Sequence, residues 1–369
     1  MKSIPDFLII DSRPEFSDFY KPLIPQFNYH GFNVQALSHQ DLSSLFGADG
    51  QLLGDEYLLH AEVVLTTNES HWIKHFAKSK KVLLGHSIFM RDTIPSPAAL
   101  NCQYFNHFDY YFCPSMYYMN WTINSLFDGV IFLGKNMLDT GFSGKKTLIP
   151  GGYVKASRGG ACSSKSNSAL MNRNIKRILY VPSVYSPEHS GHSFHTHGID
   201  IISSIAENCH SASITCRPHP TDRQRLHTLK VIDAFFGNPR IDIDLSLTPN
   251  PVLYFEPDIL VTDMSGFAFK YALETSIRPI FFIQKEEADN HPRFMAIAER
   301  VGRVAFTTQE LVSIVSMQLK SPDLLDPTER EYLSKTFYRQ FNNIGTVIKD
   351  LIAIYHGNPL EHWTSLTLY

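Results

Sequence analysis

Short apolar runs, each followed by a stretch long enough for a helix, recur along all 369 residues. No other feature limits the possible folds as much. In the first half the runs are 7–10, 63–65, 82–84, 110–113 and 130–133. In the second half they are 178–181, 214–216, 259–261 and 280–283. Runs this short, bounded by turn residues, fit strands buried on both faces of a parallel sheet. Segments such as 116–126 and 196–207 supply helices between them, which is the βα signature. The length allows two domains, and 43% hydrophobic residues give each half a core of its own. The expected fold is α/β, with two Rossmann-like domains whose parallel sheets face each other across a cleft.

Residues 1–155 read as the acceptor-side domain and 176–326 as the nucleotide-donor domain. Between them, 156–175 is rich in Ser, Gly and Asn and reads as a linker or surface loop. Residues 327–369 read as a helical tail that packs back on the first domain. A cleft between two such domains suits a donor in one half and an acceptor in the other.

Composition removes several functions. A net charge of −3 gives no reason to expect nucleic acid as partner. Five cysteines without a C-x-x-C pair speak against a disulfide framework or a zinc ribbon, and point to a reducing cytoplasm. The apolar core at 7–10 is too short for a signal peptide, and no run approaches the ~20 residues needed to span a bilayer. The expected place is the cytoplasm, soluble or peripheral at the inner face of the membrane.

Familiar motifs fail. G-x-G-x-x-G, H-E-x-x-H and G-x-S-x-G are absent, and Gly141-Phe142-Ser143-Gly144-Lys145 is too short for a P-loop. Asp242-Ile243-Asp244 has a metal-binding form but lies in an alternating strand-like run. His189, His192, His195 and His197 crowd one segment at a spacing that matches no metal motif, and read as a loop before a helix. No metal and no resident cofactor are expected.

Two segments carry the chemistry. Asp258-Ile259-Leu260-Val261 ends a buried strand, Thr262-Asp263-Met264-Ser265-Gly266 turns, and a helix follows. A helix start offers backbone N–H groups and partial positive charge. Gly266 allows close approach and the Ser265 hydroxyl adds a bond, so the turn suits a phosphate. The ordinary alternative is capping by Ser265. Glu274, further along this helix, is counted with the donor-binding residues. The second segment, Arg217-Pro218-His219-Pro220, also follows a strand. Its prolines hold their predecessors extended. A histidine so held can donate to a phosphate; the alternative is a loop histidine without a role. In the first half, His86 follows the strand at 82–84 within Gly85-His86-Ser87. A neutral histidine there could take a proton from an attacking hydroxyl.

These segments, in this order, resemble the CDP-glycerol glycerophosphotransferase family, the TagB/TagF-like enzymes of teichoic-acid and capsule synthesis. The R-x-H-P motif is met by Arg217–Pro220 and the strand–turn–helix block by 258–282. Weaker likenesses are Gly85-His86-Ser87, the strand 108–115, Gly152-Tyr153-Val154 and the strand 178–183. The resemblance implies a GT-B fold, His86 as catalytic base, and Arg217, His219, Pro220, Ser265 and Gly266 as the donor-phosphate grip. Asp263 shapes the turn. The chain departs from the family at Gly85, where Trp is usual, at Ser87, at Gly266 and at Lys270, where Asp is frequent. These departures leave room for a relative using CMP-linked acidic sugars, with Glu188 or Asp263 as working carboxylate.

The resulting expectation is a transferase with a nucleotide-activated, cytidine-linked donor that builds a cell-surface polymer. The leading form transfers glycerol phosphate from CDP-glycerol to a lipid-linked or oligosaccharide acceptor. The alternatives are a glycosyltransferase using CMP-Kdo, CMP-sialate or another nucleotide sugar, and a non-catalytic homologue that binds nucleotide or glycan.

Overall fold

The computed structural model describes residues 3–11, 17, 19–46, 53–67, 71–85, 107–133, 144–154, 175–184, 193–246 and 256–368. It divides into two compact units. One holds residues 1–90, 94–158 and 335–369; the other holds 91–93 and 159–334. The linker read at 156–175 lies almost wholly outside the described residues.

The first stretch of chain forms β1 (Phe7–Asp11), α1 (Ile24–Tyr29), β2 (Val34–Ser38), α2 (His39–Leu45), β3 (Val63–Thr66), β4 (Lys80–Leu84), β5 (Tyr110–Cys113), α3 (Met116–Leu133) and β6 (Gly144–Pro150). The middle stretch forms β7 (Lys176–Val181), α4 (Ser193–Asn208), β8 (Ala212–Cys216), α5 (Leu226–Phe235), β9 (Ile241–Ile243), β10 (Ile259–Thr262), α6 (Phe267–Thr275), β11 (Ile280–Phe282), α7 (Lys285–Asn290), α8 (Pro292–Val301), β12 (Arg303–Ala305) and α9 (Thr308–Lys320). The chain closes with α10 (Pro327–Thr336), α11 (Ile344–His356) and β13 (Thr364–Leu368).

The first unit has a seven-stranded sheet in the order β13-β6-β5-β4-β3-β1-β2. It is parallel except for β13, which runs antiparallel along β6. Two apolar clusters cover its faces, and α11 supplies Val347, Ile348, Leu351 and Ile354 to one of them. Strands enclosed in this way read as unbroken apolar runs. The second unit has a six-stranded, wholly parallel sheet in the order β12-β11-β10-β7-β8-β9. All four residues of β10 are buried.

Two expectations are corrected. Residues 130–133 are the end of α3, not a strand. Periodicity alone cannot separate a short apolar run from buried helix, and Asp128-Gly129 does not stop the helix begun at Met116. The tail is not one helix. It breaks at Tyr338, whose left-handed φ of 46° cannot continue a helix. Asn342 then anchors the new direction: its side-chain amide donates to the Pro114 and Phe337 carbonyls and accepts from the Tyr153 amide.

Candidate functional site

In the second unit the strand order reverses between β7 and β10. The strands β7, β8 and β9 lead outward on one side, and β10, β11 and β12 on the other. This is the dinucleotide-type order, and ligands bind at such a switch point, outside the carboxyl ends of the strands. Both sequence motifs end there: β8 runs into Arg217–Pro220, and β10 into Asp263–Gly266.

The two motifs are tied into the fold by their most strongly charged residues. Arg217 is only 3% exposed. Its guanidinium pairs with Asp244, and donates to the Ser246 hydroxyl at 2.8 Å and the Ser246 carbonyl at 3.0 Å. It therefore clamps the end of β8 to the chain leaving β9. Burial alone would raise the Asp244 carboxyl, but bonds from the Ser246 hydroxyl and amide, with Arg217, hold it below the usual carboxylate range. Asp244, weighed in sequence as half of a metal motif, is the anchor of this arginine. Asp263 is equally buried. Its Oδ1 accepts the Ser183 N–H at 2.8 Å, and Thr262 donates its hydroxyl to the Val181 carbonyl. Together they fasten the end of β10 to the loop after β7, across the switch point.

What remains at the rim is His219 and the start of α6. Nδ1 of His219 accepts from the Thr221 amide at 3.4 Å and lies 2.8 Å from the Thr221 hydroxyl. With Nδ1 accepting, the ring proton of the neutral imidazole sits on Nε2. Pro220 opens a short 3₁₀ turn that fixes this cap. The ends of β8 and β10 are two strand spacings apart, about 10 Å. At the second of them Ser265 accepts the Phe267 N–H on its hydroxyl at 3.3 Å and the Ala268 N–H on its carbonyl at 3.2 Å. The first turn of α6, Phe267-Ala268-Phe269-Lys270, carries a lysine and no carboxylate. Such a start suits an anion.

The structure thus gathers Arg217, His219, Pro220, Asp263, Ser265 and Gly266 at one edge of the sheet. Glu274 stands elsewhere, in the last turn of α6, about 12 Å along the helix axis from Gly266. His86 and Glu188 lie outside the described residues, as do His189 and His192. His195 and His197 belong to the first turns of α4 rather than to a loop. Among the described residues, no group of three or more His, Cys, Asp or Glu side chains is placed to hold a metal ion.

One departure at the first-unit motif has a steric cause. Gly85 closes β4, and its N–H donates to the Phe112 carbonyl. A Cβ there would lie 2.6 Å from Pro114 Cδ and 2.7 Å from the Phe112 oxygen. No side chain, least of all an indole, fits beside β5 at that point.

Sequence reasoning missed Asp244 and Ser246 as partners of Arg217, and Thr221 as the partner of the His219 ring, which caps the short turn that Pro220 opens. It also missed Glu310, although Thr307-x-x-Glu310 is a capping-box spacing.

Comparison with known proteins places the fold. The solved structure of the wall teichoic acid polymerase TagF superposes with a TM-score of 0.57 and 13% identity, over 96% of this chain and 89% of that one. UDP-GlcNAc 2-epimerase from Neisseria meningitidis, bound to UDP-GlcNAc, superposes with a TM-score of 0.53 and 13% identity, over 95% and 100%. At such identities the likeness establishes the fold. No curated protein matches the chain in sequence. Fold and family match together define a nucleotide-donor transferase of GT-B fold. The chain belongs to the CDP-glycerol:poly(glycerophosphate) glycerophosphotransferase family, whose profile matches residues 154–343, just over half of it. Among the described residues no helix is long and apolar enough to cross a membrane.

Proposed function

We propose that this protein transfers glycerol phosphate from CDP-glycerol to a hydroxyl of a cell-surface polymer or its lipid-linked precursor, working at the inner face of the membrane. One observation carries the reading. At the switch point of the donor-type sheet, His219 presents its Nε2 side, and α6 begins without a carboxylate in its first turn. The diphosphate of the donor lies between them. Nε2–H of His219, the Ser265 hydroxyl and the positive end of α6 stabilise charge on its oxygens. Arg217 and Asp263 act as positioning residues that hold the two strand ends at the spacing this requires.

The acceptor oxygen attacks the β-phosphorus of CDP-glycerol. A new P–O bond forms to the acceptor, the bond from the β-phosphorus to the bridging oxygen breaks, and CMP leaves with that oxygen. His86 takes the acceptor proton. Catalysis of this kind rests on positioning and electrostatic stabilisation. A crystal of the structural neighbour TagF was soaked with CDPG, which supports this choice of donor.

The test is nucleotide release. The protein is incubated with a glycan acceptor and, in separate reactions, CDP-glycerol, CMP-Kdo, CMP-sialate and UDP-GlcNAc. CMP release from CDP-glycerol alone supports the reading. Release from a CMP-sugar instead would replace it with glycosyl transfer.

A further inference from the structure

A second groove opens in the same unit, on the other face of the sheet from α6. In β11 the side chains alternate: Ile280 and Phe282 face the cluster formed with α4 and α9, while Phe281 packs on Phe269 of α6 and Phe294 of α8. The groove lies on the Phe282 side, between α4 and the starts of α7 and α9, with a volume of about 730 Å³. That falls within the usual range for ligand sites, about 300–1,000 Å³.

Its walls select against an anion. Asp200 and Glu286 contribute two carboxylates against the single ammonium of Lys285. The nearest long helix start is also occupied. Glu310 accepts the Phe306 and Thr307 amides at 2.7 and 3.2 Å, and its own amide donates to the Thr307 hydroxyl. The Glu310 carboxylate therefore already sits at this helix start, on the two amides just before α9, and a phosphate would meet negative charge.

The walls suit hydroxyl groups instead. A hydroxyl both donates and accepts, and the groove offers acceptors on Asp200 and Glu286 beside donors on Lys285 and Gln284. The Gln284 amide nitrogen donates to Nε2 of His197 at 2.6 Å, which places the ring proton on Nδ1, 3.9 Å from Asp200. Phe306 stands at the rim, 39% exposed, and offers the groove an apolar ring face. An apolar ring beside mixed donors and acceptors matches a sugar, with its C–H faces and hydroxyl edges.

We infer that this groove binds a neutral, hydroxyl-rich chain, an uncharged oligosaccharide stretch rather than a phosphate-rich polymer. In a transferase it would hold an acceptor some distance from its reacting end. The inference goes beyond the donor reading and does not rest on it, because the binding is measured without nucleotide.

The test uses the full-length protein, with N,N′-diacetylchitobiose and maltotriose as neutral probes and a glycerol-phosphate polymer as anionic control. Saturation-transfer NMR detects binding and calorimetry measures it. At least one neutral saccharide binds, and the anionic polymer does not displace it. Phe306→Ala and Asp200→Ala each weaken that binding at least tenfold while keeping the wild-type melting temperature; His219→Ala leaves it unchanged. Absence of saccharide binding, equal binding by both groove variants, or displacement by the anionic polymer would overturn the inference.

Discussion

The starts of α6 and α9 lie at the same edge of one sheet, yet they are finished in opposite ways. At α9 the protein supplies its own anion, Glu310, to the amides of Phe306 and Thr307 just before the helix. At α6 the first turn has no carboxylate, and one oxygen of the nearby Asp263 accepts from Ser183, just after β7. The contrast assigns the ligands. A helix start completed by its own glutamate serves stability. One whose first turn carries no carboxylate, beside a histidine at the next motif, suits the phosphate proposed for it.

The largest effect expected from breaking this arrangement is catalytic. His219→Ala removes a donor aimed at developing charge, and transfer from CDP-glycerol should fall about 100-fold or more. Steady-state CMP release would show it, with melting temperature close to wild type because the side chain is only half buried. Arg217→Ala should behave differently although it lies two residues away. It strands Asp244 in a buried site, and such losses cost about 3–5 kcal/mol. Chemical denaturation should show that loss, with activity falling alongside stability.

Ser265→Asp sharpens the comparison most cleanly. It gives α6 a carboxylate cap like that of α9. Thermal stability should hold or rise, while nucleotide affinity drops at least tenfold by calorimetry. The reverse change, Glu310→Ala, should cost about 1 kcal/mol of stability and leave nucleotide binding unchanged.

The smallest effect is in pH. The Asp244 carboxyl is held below its ordinary value of 3.8. Its contribution to stability is therefore complete above about pH 3.8, and is lost as pH falls through the lower folded value. Acid titration of melting temperature should show a wild-type advantage over Asp244→Ala that is constant near neutrality and shrinks at the acid end.

Much of this was legible in the chain, and the limits have physical causes. Strands such as β1, β7, β10 and β11 announce themselves because both of their faces are buried. The turn at Thr262–Gly266 is readable because it follows such a strand directly. The edge strands β2 and β13 were not read, since partly exposed residues break their apolar pattern. The fate of Arg217 was hidden for another reason. Its partner lies 27 residues on, and only the pairing of Cys216 with Ile243 brings the two strand ends together. A motif read from sequence shows where charge is available; strand register decides whether the ligand or the fold receives it. Here the fold takes Arg217 and Asp263, leaving His219 and Ser265 at the rim.

The central claim is that the donor diphosphate lies between His219 and the start of α6. Calorimetric titration of CDP-glycerol into wild type, His219→Ala and Ser265→Asp tests it most directly. The account predicts binding to wild type that weakens at least tenfold in both variants, each of which melts no lower than about 2 °C below wild type, a shift on the order of 1 kcal/mol. Equal affinity in all three proteins would contradict it.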